Sequence, residues 1–147
     1  MRRAAAAATA AVLVLGGCAR TADDAGLSGE TWQVVALHTQ PDTPGELPTD
    51  AAGKASLRFS GSSMNATTGC APLRAQVETS PERLKLVDVE VGSAGDCFGG
   101  SRYVHDTLTS LLVPGAEFEI HMLNEREATL TALADTVDRP SIRVMAL

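Results

Sequence analysis

The sequence predicts an α+β domain in which about seven antiparallel strands pack on one α-helix. From Glu30 onward, short runs of alternating apolar and polar residues are separated by turn residues, a pattern typical of half-buried strands. Only one segment has helical spacing, with Val104, Leu108, Leu111 and Leu112 on one helix face. A length of 147 residues favours a single domain with one modest core.

In a half-buried strand, every second side chain is apolar. The apolar residues of five candidate strands are, in chain order, Trp32, Val34 and Ala36; Leu57 and Phe59; Phe118, Ile120 and Met122; Leu130; and Ile142, Val144 and Ala146. Gly61-Ser62 offers a hairpin turn from the second strand into a further strand at residues 63–67. Between the first two strands, residues 39–53 are rich in turn formers, and we expect a long surface loop there.

One candidate strand changes its apolar parity partway along. Leu84 and Leu86 lie on one face, whereas Val87, Val89 and Val91 lie on the other. A slip of one residue moves side chains to the opposite face of a sheet. We therefore expect a β-bulge near Leu86, or a strand that is covered on both faces.

The helical segment should be about 12 residues long. Ser101 is the expected N-cap, and Pro114-Gly115 supplies a stop. Because nothing else in the chain is available to cover its apolar stripe, we expect the helix to pack on the sheet.

The first 17 residues are organised like a secretory signal peptide. Arg2 and Arg3 form a basic region, residues 4–15 form an apolar run, and Gly16-Gly17-Cys18 follows. Small residues directly before a cysteine resemble the bacterial lipobox. This resemblance implies that Cys18 is diacylated on sulfur and becomes the first residue of the mature protein. Two other interpretations stay open: an Ala-rich leader of a secreted protein, and an Ala-rich N-terminal helix.

The leader divides the chain into three parts. Residues 1–17 are the expected signal peptide, residues 18–26 a short lipidated tether, and residues 27–147 the folded domain. Acyl chains on Cys18 would hold the protein on a membrane. We therefore expect a protein of the cell envelope that is anchored by lipid on the periplasmic or cell-surface face. Its acyl chains would bind the membrane.

Charge and hydropathy exclude two classes of protein. The chain has 12 basic and 18 acidic residues, a net charge of −6, and loss of Arg2 and Arg3 with the leader leaves 10 against 18, or −8. This balance argues against a nucleic-acid partner, whose affinity comes from neutralised phosphates. No stretch reaches the roughly 20 apolar residues of a spanning helix, which excludes a polytopic membrane protein.

Two cysteines remain beside Cys18. An even pair in an exported domain indicates a disulfide, here between Cys70 and Cys97. Unpaired thiols, a metal pair and a nucleophilic cysteine are the alternatives. The spacing matches no C-x-x-C site, and reduced thiols are uncommon outside the cytoplasm.

The order of these signals resembles the META domain family, also called the HslJ-like family. Residues 27–32 correspond to its opening L-x-G-x-x-W, Gly69-Cys70 to its Gly-Cys-Asn, Cys97 to a second cysteine, and residues 104–112 to its helix. Ala71 stands where the family has Asn. The resemblance implies an antiparallel sheet curled around one helix, and an association with stress response and the bacterial envelope, but it implies no reaction.

The sequence motifs lead us to expect no catalytic, metal or cofactor site. Neither H-E-x-x-H nor G-x-S-x-G occurs, and the Gly-rich residues 92–100 lack the lysine of a P-loop, so we interpret them as a loop rather than a phosphate cradle. His105 and Asp106 point about 100° apart on the helix. Trp32 is best explained as a core residue.

Two carboxylate pairs and one histidine lie on predicted strand faces. The pairs are Asp88 with Glu90 and Glu117 with Glu119, and His121 shares the parity of the second pair. Such pairs can bind Ca²⁺ or act as acid and base, but a solvated strand face is the simpler interpretation.

The sequence leaves three hypotheses for function. The first is a non-catalytic envelope lipoprotein, an expected monomer with a stress-related binding or adaptor role toward an envelope protein or a small ligand. The second is a hydrolase that uses Cys97 or a carboxylate pair. The third is a lipid-tethered inhibitor or small-ligand carrier with residues 39–53 as its contact surface.

Overall fold

The computed structural model describes residues 26–147, so the predicted leader, Cys18 and most of the tether lie outside the described residues. The described part forms a closed antiparallel barrel of eight strands, with one helix between the fifth and sixth strands. The elements are β1 (Thr31–His38), β2 (Ala55–Ser60), β3 (Ser63–Thr68), β4 (Pro72–Thr79), β5 (Arg83–Val91), α1 (Gly99–Leu111), β6 (Glu117–Asn124), β7 (Glu127–Ala132) and β8 (Ser141–Ala146). The predicted combination of antiparallel strands with one helix is confirmed.

The barrel corrects the prediction in two respects. It has eight strands where about seven were expected, and it closes, because β8 pairs with β1 as well as with β7. The additional strand is β4, in which Leu73, Ala75 and Val77 are buried and alternate with exposed residues. Pro72 is its first residue, a position at which a strand tolerates the missing N–H.

The predicted β2–β3 hairpin is confirmed. Ser60 pairs with Ser63 across the two-residue turn Gly61-Ser62, and Gly61 has φ +57°. Positive φ at the first turn position alone is the conformation of a type II′ turn, for which glycine is the usual residue.

The expected irregularity in β5 is a bulge. Gln76 pairs with Asp88 and Val77 with Leu86, which leaves Val87 as the extra residue. Leu86 before the bulge is buried, and Val89 after it is half-buried against the core, although the two residues have opposite parity. The bulge thus returns the apolar side chains to the inner face.

One core fills the barrel. Its largest members include Trp32, Phe59 and Phe118, and the helix contributes Val104 and Leu108 to the same cluster. The indole Nε1–H of Trp32 donates to the carbonyl oxygen of Leu27 at 2.8 Å, so the buried polar atom of the indole is satisfied. The expectation that Trp32 is a core residue is confirmed.

The long loop between β1 and β2 is only partly a surface loop. Residues 39–44 are exposed, but Leu37 N–H donates to the carbonyl oxygen of Gly45 at 2.7 Å, and Ala51 is buried. The second half of the loop therefore packs on the barrel and brings Asp50 to the helix.

Among residues 26–147, no helix has both the length and the apolar character needed to cross a membrane.

Candidate functional site

The topology gathers the long connections of the barrel at one end. Because consecutive strands alternate in direction, residues 39–54, 69–71, 92–116 and 133–140 all lie at this end, which we call the helical end. The opposite end carries the short turns at residues 61–62, 80–82 and 125–126, and residues 26–30, which lead into β1. We call it the turn end. The predicted tether therefore joins the barrel at the end opposite α1.

The predicted cysteine pair is brought together at the helical end. Cys70 lies between β3 and β4, and Cys97 lies just before α1. Their Cα atoms are 5.7 Å apart and their sulfur atoms lie at disulfide distance. This Cα separation lies within the range that a disulfide spans without distortion of the backbone. A bond here would fix the start of α1 to the β3–β4 connection.

A buried polar pair joins β3 to the helix beside these cysteines. The hydroxyl oxygen of Thr68 lies 2.7 Å from Nδ1 of His105, and both residues are buried. The same hydroxyl oxygen accepts the N–H of Ala71 at 3.1 Å. The pair is internal and satisfied, so His105 positions the helix and is not presented to a substrate. The sequence showed the helical position of His105, but Thr68 carried no signal that marked it as its partner.

The start of α1 differs from the prediction. The helix begins at Gly99, with Phe98 as N-cap, and Ser101 lies within the helix and is buried. Ser101 is therefore not the cap. Phe98 supplies no side-chain cap, and the carboxylate of Asp50 accepts the N–H of Gly100 at 2.8 Å instead. A carboxylate at a helix N-terminus also interacts favourably with the helix dipole.

Gly100 is required by this contact. A Cβ atom at position 100 would overlap the side chains of Asp50 and Pro48, so any larger residue would push the loop away from the helix. Lys54 adds a further link from the loop, since its Nζ donates to the hydroxyl oxygen of Ser101 at 3.3 Å. The helical end is thus cross-linked between three connections of the barrel.

Two aromatic side chains project from this cross-linked end. Phe98 is 78% exposed and Tyr103 is 48% exposed, whereas Trp32, Phe59 and Phe118 are buried in the core. These five residues are all the Phe, Tyr and Trp residues of the chain. Both exposed aromatics therefore lie on or beside the first turns of α1. The local sequence pattern did not mark either residue as exposed, although Phe98 lies outside any apolar periodicity.

The helical end also contains an open depression of about 400 Å³. It lies between the β1–β2 and β7–β8 loops, and His38, Gln40, Asp138 and Arg139 contribute polar groups to it. Arg139 also lies 3.9 Å from a carboxylate oxygen of Glu119. The volume is within the range of small-molecule sites, but the depression is open to solvent.

The remaining predicted site residues do not converge. Glu117 forms ion pairs with Arg83 and Lys85, and His121 is exposed on the outer face of β6. Asp88 and Glu90 lie on the outer face of β5, opposite Gln76 and Arg74 of β4. Within residues 26–147, no three His, Cys, Asp or Glu side chains lie close enough to hold a metal ion.

This chain resembles solved structures in fold alone. No family model and no curated protein matches the chain. An NMR structure of a protein from Burkholderia xenovorans is similar, with a TM-score of 0.61 and 13% identity over 82% of this chain and 83% of that chain. A second NMR structure of a protein has a TM-score of 0.52 and 11% identity over 81% of this chain and 90% of that chain. At these identities the similarity concerns the fold.

Proposed function

We propose that this chain is a non-catalytic envelope lipoprotein of the META or HslJ-like type, whose domain binds another protein through the helical end of its barrel. The observation that carries the proposal is the exposure of Phe98 and Tyr103 on an otherwise cross-linked surface. Exposed aromatic side chains that are held rigidly are typical of the central residues of protein interfaces, because they bury a large area at a small cost in entropy.

The position of the tether supports the same proposal. Acyl chains on Cys18 would hold the chain at a membrane, and Gly26 enters the barrel at the turn end. The helical end is at the opposite side of the domain, so the aromatic pair would face a partner in the envelope rather than the lipid headgroups. The acidic character of the chain further opposes contact with an anionic membrane.

A role without catalysis is supported by the surroundings of the candidate groups. Cys97 lies at disulfide distance from Cys70, so it would provide no thiolate while that bond is intact. The carboxylates of Glu117 and Glu119 are engaged with basic side chains. A hydrolase is therefore the weakest of the three hypotheses.

A small-ligand carrier is the second candidate, and one observation favours it. The depression between His38 and Arg139 combines an imidazole, a guanidinium group and a carboxylate with the apolar side chain of Val137. Such a mixture suits a small polar ligand. A lipid-tethered inhibitor would use the same helical end as the adaptor and differs from it only in its effect on the partner.

Site-specific photo-cross-linking tests the proposal. A benzophenone amino acid is placed at Phe98 in the full chain expressed in its own cells, and at Leu123, which is 45% exposed near the turn end, as the matched control. We expect a discrete protein adduct from position 98 and none from position 123. The absence of an adduct at 98, or the same adducts at both positions, would overturn the proposal.

A further inference from the structure

The barrel is closed, but β5 is paired on its second side along only part of its length. Toward β6, Arg83, Leu84 and Lys85 pair with that strand, and Leu86 bonds to the backbone of Gly115 and Ala116. Beyond Leu86, no strand of the described residues pairs with β5 on this side, while β4 continues to pair with it as far as Val91. Residues 87–91 therefore form an open strand edge.

The register shows which backbone groups this edge presents. Gly92 N–H donates to the carbonyl oxygen of Pro72 at 2.8 Å, which makes this a hydrogen-bonded pair of the antiparallel ladder. Such pairs alternate with pairs whose N–H and C=O groups point away from each other. Val91 and Val89 belong to the second kind and direct their backbone groups away from β4. The structure caps one of these groups locally, because Val89 N–H donates to Oδ1 of Asp88 at 3.0 Å.

The side chains along the edge alternate in character. Val87 and Val91 are exposed by 46% and 44%, and Asp88 and Glu90 are exposed on the outer face. The bulge at Val87 and the two carboxylates are devices that discourage unspecific pairing of an open edge. They also determine what can pair with it.

We propose that residues 87–91 bind an extended basic segment of a partner protein, which adds to the barrel as a strand beside β5. Strand addition obtains its affinity from backbone hydrogen bonds and its specificity from alternate side chains. A segment in which Lys or Arg alternates with apolar residues places its cations opposite Asp88 and Glu90, and its apolar side chains beside Val89 and Val91.

A second copy of the chain is a poorer occupant. Antiparallel self-pairing centred on Val89 would place Asp88 of each copy directly opposite Glu90 of the other. Like charges directly opposite each other on neighbouring strands are destabilising. The net charge of −6 gives further repulsion between two copies.

Residues 87–91 form a binding edge separate from the aromatic pair of the proposed function. The test uses the full chain with Cys18→Ser, so that acylation plays no part, in detergent micelles. The probe is a blocked eight-residue peptide in which Lys and Val alternate, and binding is followed by NMR at the Val91 amide. We expect that amide to shift on titration and its hydrogen exchange to slow about tenfold at saturation.

Three comparisons make the test specific. A peptide with Glu in place of Lys should not bind, and methylation of the four Val nitrogens should abolish binding, because these N–H groups would face β5. Asp88→Asn with Glu90→Gln should weaken binding about fivefold. The matched control, Glu117→Gln with Glu119→Gln, changes a carboxylate pair on a strand that is paired on both sides, and should bind as the parent does.

Val91→Pro removes the edge donor itself. Because the Val91 N–H points away from β4, proline there should leave the ladder and the fold intact while weakening peptide binding about fivefold. Phe98→Ser should leave peptide binding unchanged. A failure of peptide binding can therefore be distinguished from a failure of the proposed function. Equal binding of the methylated peptide, an unshifted Val91 amide, or an unaffected Val91→Pro variant overturns the inference. If self-association without peptide protects the Val91 amide from exchange, the occupant of the edge is a second copy of the chain, and the inference is also overturned.

Discussion

Nδ1 of His105 lies 2.7 Å from the hydroxyl oxygen of Thr68, and this buried contact joins the helix to the last residue of β3. Cys70 follows Thr68 by two residues, and its sulfur lies at disulfide distance from that of Cys97 just before the helix. The helix is therefore tied to the β3–β4 connection by a polar contact and by the cysteine pair. The two ties support the surface that displays Phe98.

The polar contact should contribute measurably to stability. Thr68→Val keeps the shape of the side chain but leaves the Ala71 N–H without its acceptor and His105 without its partner. We expect the free energy of unfolding in urea to fall by about 1–3 kcal/mol. Thr79→Val, at an exposed position at the end of β4, is the control and should change it by less than about 0.5 kcal/mol. Equal effects of the two substitutions would show that the contact adds nothing.

The cysteine pair should be oxidised in the protein isolated from its own cells. In the Cys18→Ser chain, thiol counting under denaturing, non-reducing conditions should detect no free thiol. Because 27 positions separate the two cysteines, reduction should lower the free energy of unfolding by about 3–4 kcal/mol on the chain-entropy model. Two reactive thiols in the freshly isolated protein would contradict this prediction.

Asp50 should stabilise the first turn of α1. Asp50→Ala removes the acceptor for Gly100 N–H, and we expect a loss of about 1 kcal/mol together with faster hydrogen exchange at the Gly100 amide. Asp42→Ala changes an exposed carboxylate of the same loop and is the matched control. If both variants exchange at the parental rate, the loop does not cap the helix.

The helix should behave as part of the barrel core. Leu108 is fully buried, so Leu108→Ala should cost about 2–5 kcal/mol in the free energy of unfolding, measured by urea denaturation. Leu123→Ala, at an exposed position on β6, should cost far less. A small effect at Leu108 would mean that the helix is not packed on the barrel.

Local patterns predicted much of this fold. Alternation and the Gly61-Ser62 turn together identified seven of the eight strands, and the change of parity after Leu86 identified the bulge. These features depend on residues that are neighbours in sequence. The strand β4 was missed because it begins at Pro72 and because Ala75 is a weak apolar signal in the middle of its pattern.

Features that depend on distant residues were not predicted. The cap of α1 comes from Asp50, which is 50 residues away from Gly100 in sequence, whereas local sequence rules favour Ser101. Closure of the barrel needs β1 and β8 to meet, and no local pattern encodes this pairing. The exposure of Phe98 was likewise invisible, because apolar residues are normally assigned to the core.

We propose that a lipid on Cys18 holds this domain in the cell envelope. Mass spectrometry of the N-terminal peptide of the protein, isolated from its own cells, tests this proposal without further assumptions. We expect a chain that starts at Cys18 and carries a diacylglyceryl group on the sulfur. An unmodified chain that starts at Met1 would contradict it.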